Sequence, residues 1–313
     1  MIYIIYYSDF LPKEMLIIHT MGSSIQLSID VPLSPKGVNE AKTTGAELAS
    51  LHPHGITACF TSTLQRAKET AHYCIWAYGE KAIQTQPKQY VCDYRLNERH
   101  YGALQGLVKA QVEGGMYGHD PQDVQAWRRS WHAVPPLLED DDPRRRHECK
   151  VFSNVCGGKE NVPRGESLEM VARNRIQPFL EEKIHPILTQ ASDSESPDSE
   201  VGACGLVVAH ANSLRALIGV LCQVENDGAA LRRLEALKIQ TGVPLILQYR
   251  KLGNGSYQAC DIYKNYDENI DMQSLALTPD LPVWPLSCMP RESKKKQSLF
   301  GMEHSKGIRI DVI

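Results

Sequence analysis

The sequence has no apolar run long enough to cross a bilayer, no closely spaced cysteine pair and little excess charge. A membrane-spanning helix needs about 18–20 consecutive apolar residues, and no stretch of the 313 residues approaches that length. The nine cysteines include no C-x-x-C pair, which disfavours a zinc ribbon or a fully paired disulfide framework and indicates a reducing compartment. Lys and Arg number 34 against 37 Asp and Glu, a net charge of -3, which argues against nucleic-acid binding. The expected location is the cytoplasm, with mitochondrial import left open.

Three segments lack the pattern of a folded core. The N-terminal MIYIIYYSDFL is apolar but has no basic flank and no small-residue cleavage site, so it predicts an extra strand or a packed arm and not a signal peptide. Residues 190–204 are acidic and Ser-rich, which predicts a flexible, solvated loop. The tail after Leu286 carries three consecutive lysines, at 294–296, and no core pattern.

Short apolar runs alternate with helical patterns between these segments. Strands are predicted at 15–20, 56–61, 205–210 and 244–249, the last pairing with residues 257–263. Helices are predicted at 34–50 after the cap Ser34, at 63–78 after the cap Ser62, and up to Cys222 after the caps Asn212 and Ser213. This alternation predicts an α/β fold, a three-layer, doubly wound and mostly parallel sheet.

The predicted fold also indicates where a site would lie. Ligands of such sheets bind at the carboxyl ends of the strands, so a site is expected at the residues just after Thr20, Thr61 and Ala209. One domain is predicted over residues 1–265, with a helical cap insertion at 97–164, followed by a C-terminal extension at 266–313.

Four short motifs carry side chains suited to binding an anion or moving a proton. They are FTSTLQR at 60–66, LNERHYG at 96–102, WRRS at 127–130 and HANSLR at 210–215. Arg66 lies one turn into a helix, where a guanidinium and the helix N-terminus together favour a phosphate. Glu98 is a candidate general acid–base and His210 a candidate phosphoryl contact. Taken alone, the first three motifs are better explained as a charged surface or turn, and His210 is equally explained as a satisfied structural residue. Their joint occurrence therefore carries the prediction.

In this order, the motifs resemble those of the cofactor-dependent phosphoglycerate mutases of the histidine phosphatase superfamily. The matching stretches are LSPKG at 33–37, ACFTSTLQRAKET at 58–70, LNERHYGALQGL at 96–107, WRRS at 127–130, GESL at 165–168, VVAHANSLR at 207–215 and TGVP at 241–244. They extend over most of residues 15–250. The resemblance implies a phosphoglycerate-mutase-like fold and a homo-oligomer.

The resemblance also implies roles for individual residues. The family forms a phosphohistidine in a strand-end Arg-His-Gly-Glu motif, and a second Arg and a second His complete a cationic pocket. Arg66 and His210 match those second members, and Glu98 matches the proton donor and acceptor. Substrate-binding roles are implied for Arg99, Tyr101, Lys109, Arg128, Arg129 and Asn212. No metal site is predicted, because no HxxxH motif or suitable carboxylate cluster is evident.

The first family motif is missing from this chain. Thr20-Met21-Gly22-Ser23 stands where the family has Arg-His-Gly-Glu, the stretch from there to Leu33 is shortened, and Ala211 replaces a glycine. A thioether is a weak nucleophile and would form an unstable sulfonium adduct. Losing a covalent nucleophile costs about 10⁴–10⁶ in rate, or about 5–8 kcal/mol of barrier. The mutase reaction is therefore expected to be absent.

His19 is the nearest alternative nucleophile to Met21. Two residues along a strand separate Cα atoms by about 6.5–7 Å, and phosphoryl transfer tolerates far less misplacement. His19 would therefore need a slip of register, which the alignment of Gly22 does not require.

Three hypotheses follow for the function. The first is a phosphoglycerate-mutase-like pseudoenzyme that keeps a partial phosphate-binding pocket. The second is a structural or interaction subunit, which would dock partners through the N-terminal arm, the acidic loop and the basic tail. The third is an active mutase, converting 3-phosphoglycerate to 2-phosphoglycerate, or a phosphatase, using His19 or His210. No cofactor is expected to be required, and the expected ligand is phosphate, 2,3-bisphosphoglycerate or another phosphorylated small molecule.

Overall fold

The chain folds around one mixed sheet. The computed structural model describes residues 13–19, 30–51, 55–80, 87–193, 203–251, 257–264 and 283–285. The strands are Lys13–His19 (β1), Ala58–Thr61 (β2), Gln89–Cys92 (β3), Cys204–Ala209 (β4), Leu245–Lys251 (β5), Tyr257–Lys264 (β6) and Val283–Pro285 (β7). Their order in the sheet is β3-β2-β4-β1-β5-β6-β7. The first four neighbours are parallel, β5 is antiparallel to both β1 and β6, and β7 is parallel to β6.

Helices connect these strands. The α-helices are Pro35–Leu51 (α1), Gln65–Gly79 (α2), Lys109–Glu113 (α3), Pro121–Arg129 (α4), Pro143–Cys156 (α5), Leu168–Val171 (α6), Gln177–Phe179 (α7), His185–Asp193 (α8), Ala211–Leu221 (α9) and Gly228–Ala236 (α10). Two π-helical turns, Ala172–Ile176 and Leu180–Ile184, join α6, α7 and α8 into one continuous helix. Short 3-10 turns lie at Tyr94–Leu96, Gly102–Leu104 and Val224–Asn226.

Neighbouring residues of β2 show that helices cover both faces of the sheet. Side chains alternate between the two faces along a strand. Phe60 packs edge-to-face on Phe179, with ring centroids 6.0 Å apart, so the long helix from α6 to α8 covers that face. Cys59 therefore points to the opposite face, where Cys74 of α2 lies close enough for its charge to raise the pKa of the Cys59 thiol. These contacts confirm the predicted three-layer α/β fold.

The apolar residues of β4 explain why it is an interior strand, and an N-cap explains where α1 begins. All six residues of β4 are buried, as expected for a parallel strand covered on both faces. The Ser34 hydroxyl accepts a hydrogen bond from the Gly37 amide at 3.1 Å, and Pro35 is the first helical residue, as predicted.

The other three predicted N-caps, Ser62, Asn212 and Ser213, are wrong. Leu64, not Ser62, is the N-cap of α2, because the Ser62 hydroxyl is turned to His210. The helix after β4 begins at Ala211 with His210 as its N-cap, and Ser213 instead accepts a hydrogen bond from the His210 amide at 3.2 Å.

The sheet has two strands that the sequence pattern did not predict, β3 and β7. In β3, Tyr90 is 58% exposed and three of the four residues are exposed, so no unbroken apolar run marks the strand. The strand β7 lies within the predicted C-terminal extension.

The predicted acidic loop at 190–204 is shorter than expected. Helix α8 continues to Asp193, while Ala203 is fully buried and Cys204 begins β4. The remainder of that loop, the N-terminal arm and most of the C-terminal tail lie outside the described residues.

The predicted cap region, 97–164, carries α3, α4 and α5. Tyr101, Leu104, Val112 and Val124 form a small hydrophobic cluster there, separate from the main core. Among the helices that the structure describes, none has the length and apolar character needed to cross a membrane.

Candidate active site

The carboxyl ends of β2 and β4 bring a serine and a histidine together. The two strands pair in parallel, with Thr61 opposite Val208, so Ser62 and His210 leave the sheet side by side. Ser62 Oγ lies 2.8 Å from His210 Nε2, and both side chains are buried. These polar groups therefore meet at the carboxyl ends of the strands, where the strand pattern predicts a site.

Arg66 approaches the same imidazole from the first turn of α2. Its Nη2 lies 3.4 Å from His210 Nδ1. Because a guanidinium only donates, Nδ1 accepts, and Nε2 carries the proton that is donated to Ser62 Oγ. Burial lowers the pKa of Arg66, although the carboxylates of Glu98 and Asp30 oppose that shift. The guanidinium is 3% exposed, so its charge is held in a largely dry site.

The loop that follows β3 is fixed beside the start of α2. Asn97 Oδ1 accepts hydrogen bonds from the amide and the hydroxyl of Thr63, each at 2.9 Å. The next residue, Glu98, is buried and its Oε1 accepts a hydrogen bond from the Arg99 amide at 2.8 Å. Glu98 lies close enough to Arg66 to raise the pKa of that guanidinium.

Arg99, Tyr101 and Asn212 form a connected group. The Arg99 guanidinium stacks 4.4 Å from the centre of the Tyr101 ring and donates to the Trp127 carbonyl. Asn212 Nδ2 donates to the Tyr101 hydroxyl at 2.7 Å. All three side chains are buried, so the loop of Arg99 and the start of α9 are joined directly.

Arg215, to which the sequence pattern assigned no role, completes this group. Its Nη1 donates to Asn212 Oδ1 at 2.6 Å and its Nη2 to the Leu237 carbonyl at 2.9 Å. Burial lowers the pKa of Arg215 to about 10, with further lowering by Arg129 and Arg99. The signal was present in the sequence: Arg215 is three residues after Asn212, one helical turn away.

Arg128 and Arg129 end α4 beside the same cations. Burial lowers the pKa of Arg128, and the charges of Arg129 and Arg99 lower it further. Arg128 also forms an ion pair with Glu113. The adjacent arginines thus share one electrostatic environment with the buried group.

Some predicted residues cannot be placed. Thr20, Met21, Gly22 and Ser23 lie outside the described residues. The Lys109 backbone begins α3, and His19 ends β1 with its Cα opposite that of Ala209. The remaining predicted residues converge on a cationic cluster with a buried carboxylate, Glu98, a charge distribution suited to an anion.

Comparison with known proteins agrees with this geometry. A model of the histidine phosphatase superfamily (branch 1) matches residues 19–148. The 2,3-bisphosphoglycerate-dependent phosphoglycerate mutase of Actinobacillus succinogenes is 35% identical over 219 residues, 70% of this chain and 84% of the mutase. That of Haemophilus ducreyi is 36% identical over the same shares. The fold resembles that of a mycobacterial glucosyl-3-phosphoglycerate phosphatase, with a TM-score of 0.50 and 23% identity over 77% of this chain and 91% of that one. The chain belongs to the phosphoglycerate mutase family of the histidine phosphatase superfamily.

Proposed function

We propose that this chain binds a phosphorylated three-carbon acid in a cleft at the cationic cluster around His210 but does not transfer its phosphoryl group. The observation that carries the proposal combines sequence and geometry. Arg66 and His210, the expected partners of a phosphohistidine, lie together with Nη2 and Nδ1 3.4 Å apart. The chain has Met21 where the family has the histidine itself.

The charge distribution supports anion binding. Arg66, Arg99 and Arg215 are each at most 3% exposed, and the nearby carboxylate of Glu98 offsets only part of their charge. Gathering like charges in a cleft destabilises a protein unless a counter-charge enters. A phosphate and a carboxylate on one small molecule would supply two counter-charges.

A methionine at position 21 argues against phosphoryl transfer. A thioether is neutral and its phosphorylated adduct would be an unstable sulfonium. Thr20 also lacks the guanidinium that would bind the dispersed charge of a transferring phosphoryl group. The expected cost, about 5–8 kcal/mol of barrier, exceeds what the other cations could replace.

The two remaining histidines are poor substitutes. β1 pairs with β4 without interruption from Glu14 to His19, so the described strand has no register slip that would bring His19 to position 21. Both ring nitrogens of His210 already have partners, Ser62 Oγ and Arg66 Nη2. His210 therefore presents no free lone pair for attack on phosphorus, and His19 is not placed for that attack.

The family cofactor, 2,3-bisphosphoglycerate, fits the charge of the cleft. Arg66, Arg99 and Asn212 are among the described residues that would hold its phosphates and carboxylate. When bound, the cofactor would supply a transferable phosphoryl group, for which this chain has no histidine at position 21.

Isothermal titration tests the binding half of the proposal. We expect wild-type protein to bind 3-phosphoglycerate and Arg66→Gln to bind it about 10–150-fold more weakly, since one hydrogen bond to a charged group contributes about 1.5–3 kcal/mol. Arg146→Gln is the matched control, because Arg146 is exposed on α5 and donates to the Asp141 carbonyl. Absence of binding by the wild type, or equal losses in both variants, would contradict the proposal.

A mutase assay tests the catalytic half. We expect no interconversion of 3- and 2-phosphoglycerate by the wild type. The double variant Thr20→Arg, Met21→His restores the two missing side chains and is expected to recover measurable turnover. Turnover by the wild type, or acid-labile phosphate on one of its histidines after incubation with bisphosphoglycerate, would refute the catalytic half.

A further inference from the structure

The GESL motif at 165–168 matches the family but contributes no side chain to the cleft described above. Glu166 nevertheless binds the loop of Arg99 at three points. Its amide donates to the His100 carbonyl at 2.9 Å, and its Oε2 accepts from the His100 amide at 2.8 Å. Its carbonyl accepts from Arg99 Nη1 at 3.4 Å. Glu166 therefore holds the amide and the carbonyl of His100 and also the guanidinium of Arg99.

Glu166 is itself held in place by Arg175, in the first π-helical turn. Arg175 Nε lies 3.2 Å from Glu166 Oε1, and both side chains are about 6% exposed. The contact is an ion pair without hydrogen-bond geometry, because Arg175 Nε and Nη2 are both buried and have no hydrogen-bond partner among the described residues. Because a buried charge is costly unless it is paired, the Glu166 carboxylate is needed where it is and has little freedom to move.

The His100 side chain fixes the loop from its other side. The Gly102 amide donates to His100 Nδ1 at 2.9 Å, so the proton is on Nε2, which donates to Glu148 Oε2 at 2.9 Å. Gln105 Nε2 donates to the other oxygen of Glu148 at 3.4 Å. The imidazole is therefore anchored to α5, away from the cleft.

This anchoring determines where the two flanking side chains lie. Arg99 and Tyr101 precede and follow His100, and the first stacks on the second at 4.4 Å. The Tyr101 hydroxyl meets Asn212 at 2.7 Å. A shift of the His100 peptide would displace both side chains together, because they share its backbone.

We propose that Glu166 is a positioning residue of the cleft: it holds the His100 peptide so that Arg99 and Tyr101 are placed for the anion. The proposal rests on the proposed function for its ligand. Glu166 touches neither the ligand nor the reacting atoms. It acts through the loop 98–102.

Two substitutions separate the bonds that Glu166 makes. Glu166→Ala removes the carboxylate that accepts from His100 and pairs with Arg175. Glu166→Gln keeps an oxygen for the His100 amide but loses the charge. We expect 3-phosphoglycerate to bind about tenfold or more weakly to Glu166→Ala, as is typical of outer partners of a binding site, and the loss to be smaller for Glu166→Gln. The second variant preserves the test if the first does not fold.

Thr44→Val controls for lost stability alone. The buried Thr44 hydroxyl lies 2.7 Å from the Glu40 carbonyl and 2.6 Å from that of Gly242, and neither belongs to the cleft. Thr44→Val should lower the unfolding temperature and leave the affinity for 3-phosphoglycerate unchanged. An equal loss of affinity in Thr44→Val and Glu166→Ala would overturn the positioning role.

Amide hydrogen exchange gives a readout that does not depend on the ligand. The amides of His100 and Gly102 are expected to exchange at least about tenfold faster in Glu166→Ala, while those of Val207 and Val208 in β4 keep their rates. Unchanged exchange at His100, or faster exchange without loss of affinity, would overturn the inference. If the wild type binds no 3-phosphoglycerate, the proposed function fails, and the exchange rates alone decide whether Glu166 holds the loop.

Discussion

Two glycines of the loop after Tyr101 allow a matched test of how tightly that loop is packed. Gly102 has φ +58° and Gly106 has φ +78°, both in the left-handed region. A Cβ on Gly102 would lie 2.0 Å from the Pro136 carbonyl oxygen, whereas a Cβ on Gly106 would meet nothing within 4 Å. Substituting alanine at each position therefore compares the same backbone strain with and without a steric conflict.

The expected costs differ by several kcal/mol. A left-handed conformation costs a non-glycine residue about 1–2 kcal/mol, and the lower entropy of the unfolded chain returns about 0.4–1 kcal/mol, so Gly106→Ala should cost about 1 kcal/mol. Gly102→Ala must also push the Pro136 carbonyl away, which weakens its 2.7 Å hydrogen bond from the Ala103 amide. Overpacking and the impaired bond add about 1–3 kcal/mol each, for a total of about 3–7 kcal/mol with the backbone strain included.

Urea unfolding followed by tryptophan fluorescence measures both variants. Gly102→Ala should also lose affinity for 3-phosphoglycerate, because the displaced backbone carries Tyr101, while Gly106→Ala should bind as the wild type does. Equal destabilisation by the two substitutions would refute the packing argument, and normal affinity in Gly102→Ala would refute its connection to the cleft.

Two further predictions concern the site and the core. Ser62→Ala removes the partner of His210 Nε2 and should weaken 3-phosphoglycerate binding several-fold. Nitrogen-15 chemical shifts of the imidazole should report a changed tautomer population. An unchanged spectrum would contradict the assignment of the proton to Nε2. Burial raises the pKa of the thiols of Cys59, Cys74 and Cys222 above the ordinary 9.0. Above about pH 9 the folded state therefore keeps protons that the unfolded state loses. The free energy of unfolding should fall as the pH rises through that range. The limiting slope is about 1.4 kcal/mol per pH unit for each thiol; urea midpoints between pH 8 and pH 10 should fall for the wild type and less steeply after replacement of the three cysteines by alanine.

The fold could be predicted because its central strands are apolar runs with no other stable location. β4 is buried at every residue, and the strand pattern placed Thr61 and Ala209 at the edge where Ser62 and His210 meet. β3 could not be found in this way, because Tyr90 and its neighbours are exposed and the strand is identified by its pairing with β2. A hydrogen-bonding pattern between distant segments leaves no local signature when one side of the pair is polar.

The site was predicted in part because its residues come from four separate motifs whose spacing fits one family. The residues that were missed act through contacts that cross the chain. Ser62 was assigned to helix capping, a common local role for serine, but its hydroxyl bonds to His210, 148 positions away. Glu166 bonds to His100, 66 positions away. A local pattern contains the donor and the acceptor but not the fact that they meet.

If the proposed anion binds, we expect the buried arginines to link the stability of this fold to its presence. Burial lowers the pKa of Arg215 from 12.5 to about 10, which corresponds to a cost of about 3 kcal/mol for keeping the charge in the folded protein near neutral pH. A ligand at 100 times its dissociation constant stabilises a protein by about 2.7 kcal/mol, so a bound anion would offset a penalty of that size. Adding 3-phosphoglycerate should therefore raise the unfolding temperature of the wild type and of Arg146→Gln, but much less that of Arg66→Gln at the same concentration. If 3-phosphoglycerate leaves the wild-type unfolding temperature unchanged at millimolar concentration, the arginines are balanced within the protein itself, and the cleft has no need of an anion.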